Sequence, residues 1–351
     1  MDIGAFFEKC WDDIRNWFDR FFSSPQPPVS PPTEKEQGLT FAPPTVRRVC
    51  VLIYDPKVPE EGGKRLTEIF NWSNPLGLIT GYIADLQFTS FGYAQYEVIQ
   101  QKVLDYLPVK QDGFQYTPAS FVNCMRANSG FHSPDAVDYR IILSDPDLVQ
   151  DINAGIIHEV WLFGPPYAGF YESRMVGPGA FFCNAPALDL PGFSRRFVVM
   201  GFNYERGVGE MLEAFGHRAE ATLSRVFSDT SGAQNLWERF TRIEKDHPGQ
   251  AEVGTVHFAP NSTRDYEWNN PTPVLSRCNN WYKYPDLSGD PREVTALEWG
   301  SGNIQKHHIW WLRHLPHYLG EANGKPSRQA PRPATRRTAS VEAQASKHPS
   351  I

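Results

Sequence analysis

The chain has 351 residues, 40% of them hydrophobic and 21% charged, a globular balance with enough length to bury one large core or two ordinary ones. Its formal net charge of −6 hides an asymmetry: residues 321–351 carry six Lys/Arg and two Glu, or +4, which leaves −10 on residues 1–320, a body not built for a nucleic-acid backbone. Five cysteines, widely spaced and without a CxxC pair, argue against a disulfide framework and a thiolate zinc site, and no run of about 18 apolar residues offers a transmembrane segment.

Residues 1–22, MDIGAFFEKCWDDIRNWFDRFF, place Ile3, Phe6, Phe7, Trp11, Ile14, Trp17, Phe18, Phe21 and Phe22 at helical spacing with charges between them. The segment reads as an amphipathic aromatic helix. Acids interrupt it throughout, so it lacks the apolar heart of a signal peptide, and the expected location is cytoplasmic or another intracellular compartment. Residues 23–45 are proline-rich, a linker that puts the helix on a tether. Such a helix docks on a partner or shell protein, on its own body or on a membrane; with five acids against three bases it suits an anionic lipid surface least.

From residue 46 the pattern alternates. VRRVCVLIYDP is a buried strand, GKRLTEIF and LGLITGYIADL are helices, and YAQYEVIQQKVLDYL is a strand pair or a strand followed by a helix. HEVWLFG and RRFVVMGFNY are further buried strands, each followed by a glycine-rich turn. The expectation is one α/β domain over 46–320, with a largely parallel central sheet flanked by helices and a loop-rich C-terminal part. In that part NLWERFTRIEKD is helical, GTVHF a strand, and Asn261 to Asp290 a long loop. Residues 321–351 read as a disordered basic tail.

Ligands of open α/β sheets collect beyond the carboxyl ends of the strands. The segment after HEVWLFG supplies Tyr167, Tyr171, Glu172 and Arg174 there, with Ser173 as a distant nucleophile candidate. The segment after FVVMGFNY supplies Arg206 and then GEMLEAFGHRAE, which puts Glu210, Glu213, His217, Glu220 and Ser224 within roughly 80° of one another on a helix. A solvated helix face has that pattern too. Against it stand the small neighbours Ala214, Gly216 and Ala221 and the absence of lysine, which suggest that something packs closely there.

Residues three or four apart on a helix reach one cation, so His217 and Glu220, completed by His257 from VGTVHFAPN, form the expected ligand set for a divalent metal, zinc foremost. HHIWWLRHLPH, with His307, His308, His314 and His317, is a second source of ligands. Glu213 or Glu172 is then the general base, and Arg174 or Arg206 stabilises negative charge. Asp265 and Glu267 offer an acid/base pair with Glu172. Six of the ten tryptophans fall between residues 237 and 311 among Asn, Asp and Tyr, a composition suited to sugar rings, with Trp268 and Trp281 joining Tyr167 and Tyr171 as substrate-binding candidates.

The segments HEVWLFGPPYAGFYESRMVGPGAFFCNAPAL, GFNYERGVGEMLEAFGHRAE, VGTVHFAPNSTRDYEWNN and HHIWWLRHLPH together resemble an uncharacterised family of bacterial and fungal proteins across residues 46–320. The resemblance implies one folded unit and carries no activity, cofactor or catalytic residue. The residues themselves point to a metal-dependent hydrolase for a glycan- or peptide-like substrate. The competing readings are a non-catalytic carbohydrate- or protein-binding module, and a packaged cargo or interaction protein addressed by its N-terminal helix.

Overall fold

The computed structural model describes residues 44–316 and the backbone of 321–322 and 325–326. The expected helix over 1–22 and almost all of the linker and tail lie outside the described residues; Thr45, the last linker residue, is already the first of β1 (Thr45–Tyr54).

The chain is an α/β fold. After β1 come helix α1 (Pro75–Thr89), strand β2 (Ala94–Leu104), helices α2 (Pro118–Ala127) and α3 (Pro146–Asn153), strands β3 (Glu159–Gly164), β4 (Ser173–Val176) and β5 (Phe197–Asn203), helix α4 (Val208–Val226) and helix α5 (Ile304–Arg313). The sheet order is β2-β1-β3-β5-β4, parallel except for the antiparallel edge strand β4. Both faces are covered, which is why the inner strands read as continuous apolar runs. Val49, Val51 and Ile53 of β1 join a core with α1, α4 and α5, while Cys50, Leu52 and Tyr54 join a second core with α3.

YAQYEVIQQKVLDYL forms one eleven-residue strand rather than a strand pair or a strand and helix. It is the sheet's edge and is only half buried, so the apolar pattern that identifies inner strands is weak there.

Beyond α4 the chain is loop-rich, as expected. NLWERFTRIEKD is helical only over Leu236–Phe240. GTVHF is not a strand: Gly254 has φ +91°, and Thr255 and Phe258 bond to each other across a tight turn, so the segment has no ladder partner of its own. A buried irregular backbone must find donors for its carbonyls. Tryptophan and histidine rings supply them here. Trp311 Nε1 donates to Gly254 O at 3.1 Å, Trp268 Nε1 to His257 O at 3.0 Å and Trp299 Nε1 to Trp268 O at 2.9 Å. His307 Nε2 lies 3.0 Å from Val256 O and His308 Nδ1 3.1 Å from Gly209 O; carbonyls only accept, so those nitrogens carry the protons.

Helix α4 is anchored by an ion pair to a buried carboxylate. Arg218 grips Glu159, the first residue of β3, with two hydrogen bonds of 2.7 and 2.8 Å, and Trp161 Nε1 adds a third at 3.2 Å. Burial pushes the Glu159 carboxyl up, but the Arg218 charge and hydrogen bonds hold it below the usual range. Nearer the start of α4, a Cβ on Gly209 would meet Ile304 Cγ2 of α5 at 2.7 Å, and at mid-helix, two residues before Arg218, one on Gly216 would meet Val256 Cγ2 at 2.6 Å. Only glycine permits such closeness.

The buried His307 and His308 of α5, with His314 just beyond its end, should make the fold acid-sensitive. Burial holds His307 well below the ordinary imidazole value, His308 at about 4 and His314 at about 3. The unfolded chain protonates all three near pH ~6.5. Their contribution to stability is therefore complete above that value and is lost as the pH falls toward the folded values. His217, whose value is raised, is protonated in both states below pH ~6.5 and adds no slope there. Urea unfolding at pH 6 and pH 5 should show a loss of up to roughly 3 kcal/mol over that unit; a flat profile would refute the assignment of neutral buried histidines.

Candidate metal centre

Helix α4 starts at the carboxyl end of β5 and runs back along the sheet, with Met211, Leu212 and Ala214 in the core. Its carboxylate-bearing side does not face water. Glu213 is only 6% exposed, because the segment 252–268, pinned by the tryptophans and by α5, lies over it.

Glu213, His217 and His257 each bring a ligand atom to one place, all within 4.8 Å of one another, a group able to hold a metal ion. The two histidines are arranged alike. His217 directs Nε2 toward Glu213 Oε1 at 3.9 Å and has Nδ1 3.1 Å from Glu220 Oε2. His257 directs Nε2 toward the same Glu213 oxygen at 3.1 Å and has Nδ1 3.1 Å from Asp265 Oδ1. With a cation in place of the Nε2 proton, the carboxylate behind each Nδ1 would accept the remaining ring N–H and orient the Nε2 lone pair inward, the outer support commonly seen behind metal-bound histidines.

Of the two glutamates beside His217, Glu213 joins the converging group and Glu220 does not. Glu220 is a support and not a member of the converging set, since its other oxygen accepts from Val256 N at 2.9 Å. Three residues beyond His217 it comes round on the Nδ1 side, whereas Glu213, four residues before, faces Nε2. Glu213, expected as a general base, is one of the three converging residues.

Sequence reasoning missed Tyr266. Its hydroxyl donates to Glu213 Oε1 at 2.7 Å and lies 2.9 Å from His257 Nε2. The backbone there adopts φ +58°, which turns the ring inward from an exposed loop. A tyrosine nine residues after a histidine carries no sequence signal; only the neighbouring Asp265 was legible.

The electrostatics suit a cation. Burial opposes ionisation of Glu213, but hydrogen bonds from His257 and Tyr266 outweigh it and bring its pKa down to about 2. Burial would also lower His217, yet Glu220, Glu172 and Glu213 together raise it. Burial and then Glu213, Asp265 and Glu172 push the Tyr266 hydroxyl up, so it is a neutral donor near neutrality. Glu172 thus acts on both residues, and it also lines a cleft of about 250 Å³ at the carboxyl rim of β3 and β5, with Tyr167, Asn203, Arg206, Glu210 and Ala214. Glu210, Ala214 and His217 follow one another along α4, so the cleft and the triad share a helix face.

Other expected site residues lie elsewhere. Arg174 stacks over Tyr139 and Tyr171 and donates to Pro186 O, away from the triad. Tyr171 is partly buried under it. Trp268 and Trp281 are buried, at 4% and 2% exposed, so neither offers the free face expected for a sugar; they are used to bond loop carbonyls and the Glu252 carboxylate. Ser173 is buried against Cys183 O, and Glu267 binds Thr263. Glu210 accepts from Gly207 N and so occupies the start of α4, where an anion would otherwise bind. His307 and His308 pack behind the triad, and His308 Nε2 is buried without a hydrogen-bond partner among the described residues.

No family model, curated protein or solved structure matches this chain. The site's chemistry therefore rests on its own geometry. Among the described residues no helix is long and apolar enough to cross a membrane.

Calorimetric titration with zinc should give near-stoichiometric binding that Glu213→Ala or His257→Ala abolishes. Glu220→Gln and Asp265→Asn should weaken it by roughly 10- to 100-fold, the usual cost of losing an outer partner. Because the His217 value is raised, protons should displace the cation as the pH falls through a point higher than for an ordinary imidazole. Equal affinity in the Glu220 variant would remove it from the support role.

Proposed function

We propose that the protein is a metal-dependent hydrolase acting on a glycan- or peptide-like substrate at the carboxyl rim of its sheet. The observation that supports this most is the paired arrangement of His217 and His257, each with Nδ1 on a carboxylate and Nε2 toward Glu213. Three protein ligands that leave a position for water are the usual composition of a catalytic zinc site. In this reading Glu213, His217 and His257 would hold the cation, which would supply Lewis acidity for activating water. Glu172, in the cleft and close enough to raise the pKa of His217, would be the base that accepts the water's proton. Tyr266, a neutral donor, and Arg206, on the cleft wall, stabilise the oxyanion. Tyr167, whose exposed ring stacks on Phe131 at the cleft, contacts substrate.

One observation favours a different reading. The Tyr266 hydroxyl already bridges Glu213 and His257, so the cluster also works as a metal-free staple between α4 and the following loop, in a protein that binds rather than catalyses.

Elemental analysis of tag-free protein beside His217→Ala separates the two. The hydrolase reading expects close to one divalent metal per chain, lost in the variant, and hydrolysis of amide or glycoside substrates that stops on chelation. In the active protein Glu172→Gln should lower kcat by roughly 10²- to 10⁴-fold, the range for losing a general base, with metal content unchanged. A wild type that stays metal-free after incubation with zinc leaves the staple.

A further inference from the structure

The side of α4 opposite the metal centre floors an apolar groove of about 340 Å³. Its walls include Phe215, Ala219, Leu223, Leu236, Trp237 and Leu315. The first three recur at spacings of four on one helix face. We propose that this groove is the docking site of the chain's own N-terminal segment, residues 7–18, held through Phe7, Trp11, Ile14 and Phe18.

Those four residues stand at i, i+4, i+7 and i+11, the anchor spacing of a helix laid in a groove. An isolated amphipathic segment of this length gains little from helix propensity alone and needs an apolar surface for its aromatic side.

The position of the groove favours the cis segment. Arg218, on the groove's edge, bonds Glu159, and Glu159 pairs in register with Val49 of β1. Helix α4 runs from the carboxyl to the amino end of the sheet, so Leu223 lies at the amino end, where Thr45 begins β1 four residues before Val49. The 21 residues from 23 to 43 span up to roughly 70 Å when extended, against a radius of gyration of about 19 Å for a domain of this size. The tether therefore reaches the groove easily and holds the segment at high effective concentration beside it. Five acids against three bases make an anionic membrane the weaker competitor.

Photo-crosslinking of the full chain tests this. With p-benzoylphenylalanine in place of Trp11, a mixture of ¹⁴N- and ¹⁵N-labelled protein is irradiated, digested and analysed by mass spectrometry. The expected product joins position 11 to residues 215–227 or 236–240 within one isotopic chain. Crosslinks between differently labelled chains would make the occupant a second copy, and crosslinks to other surfaces, or none, would place the segment elsewhere; each overturns the proposal. Leu223→Glu should lower the product roughly tenfold, because the new carboxylate loses its water without a partner. Phe18→Asp, which changes no residue of the groove, should do the same; an unchanged yield in that variant also overturns the proposal.

Discussion

The structure depends on how helix α4 is held against the sheet. Arg218 and the buried Glu159 form a two-pronged ion pair between the helix and the amino end of β3. An arginine and a carboxylate taken from water must satisfy each other, because breaking such a pair leaves a charge that nothing solvates. The pair fixes the rotation and height of the helix. With Arg218 turned to the sheet, Glu213 and His217 are turned to the segment 252–268, and Phe215, Ala219 and Leu223 to the groove. Gly209 and Gly216 let α5 and Val256 approach to distances that any side chain would prevent.

The C-terminal third completes what α4 begins. It has few ladder hydrogen bonds, yet much of it is buried, and its carbonyls are paired with indole and imidazole N–H groups from Trp268, Trp299, Trp311 and His307, while His308 bonds a carbonyl of α4. Aromatic residues combine large apolar area with one donor, so they can fill a core and bond irregular backbone together. Their concentration between residues 237 and 311 is thus accounted for by architecture. The same framework sets His257, Asp265 and Tyr266 over the helix.

The charges of the centre follow from its placement. A carboxylate as buried as Glu213 would ordinarily take up a proton, but donors from His257 and Tyr266 keep it ionised. Glu220 and Asp265 supply negative charge behind the histidines, and Glu172 supplies more from the cleft side. Such a group could hold a cation, and the cleft at the rim of β3 and β5, lined by Glu172, lies where open α/β sheets commonly receive ligands.

The linear pattern was enough for the α/β class, the inner strands, the helices α1 and α4, and the suspicion that GEMLEAFGHRAE is more than a solvated face. Those features are local: strand and helix periodicities survive in a linear pattern, and His217 lies within one turn of both glutamates. Tertiary structure alone decided which glutamate joins the histidines, because that depends on which side of the imidazole each approaches and on Val256 N, 36 residues away, capturing Glu220. It also decided that β2 is one edge strand, that GTVHF is a turn, that Trp268 and Trp281 are interior, and that Tyr266 reaches the centre. In each case the outcome is set by partners distant in the chain, whose hydrogen bonds and burial leave no trace in local composition.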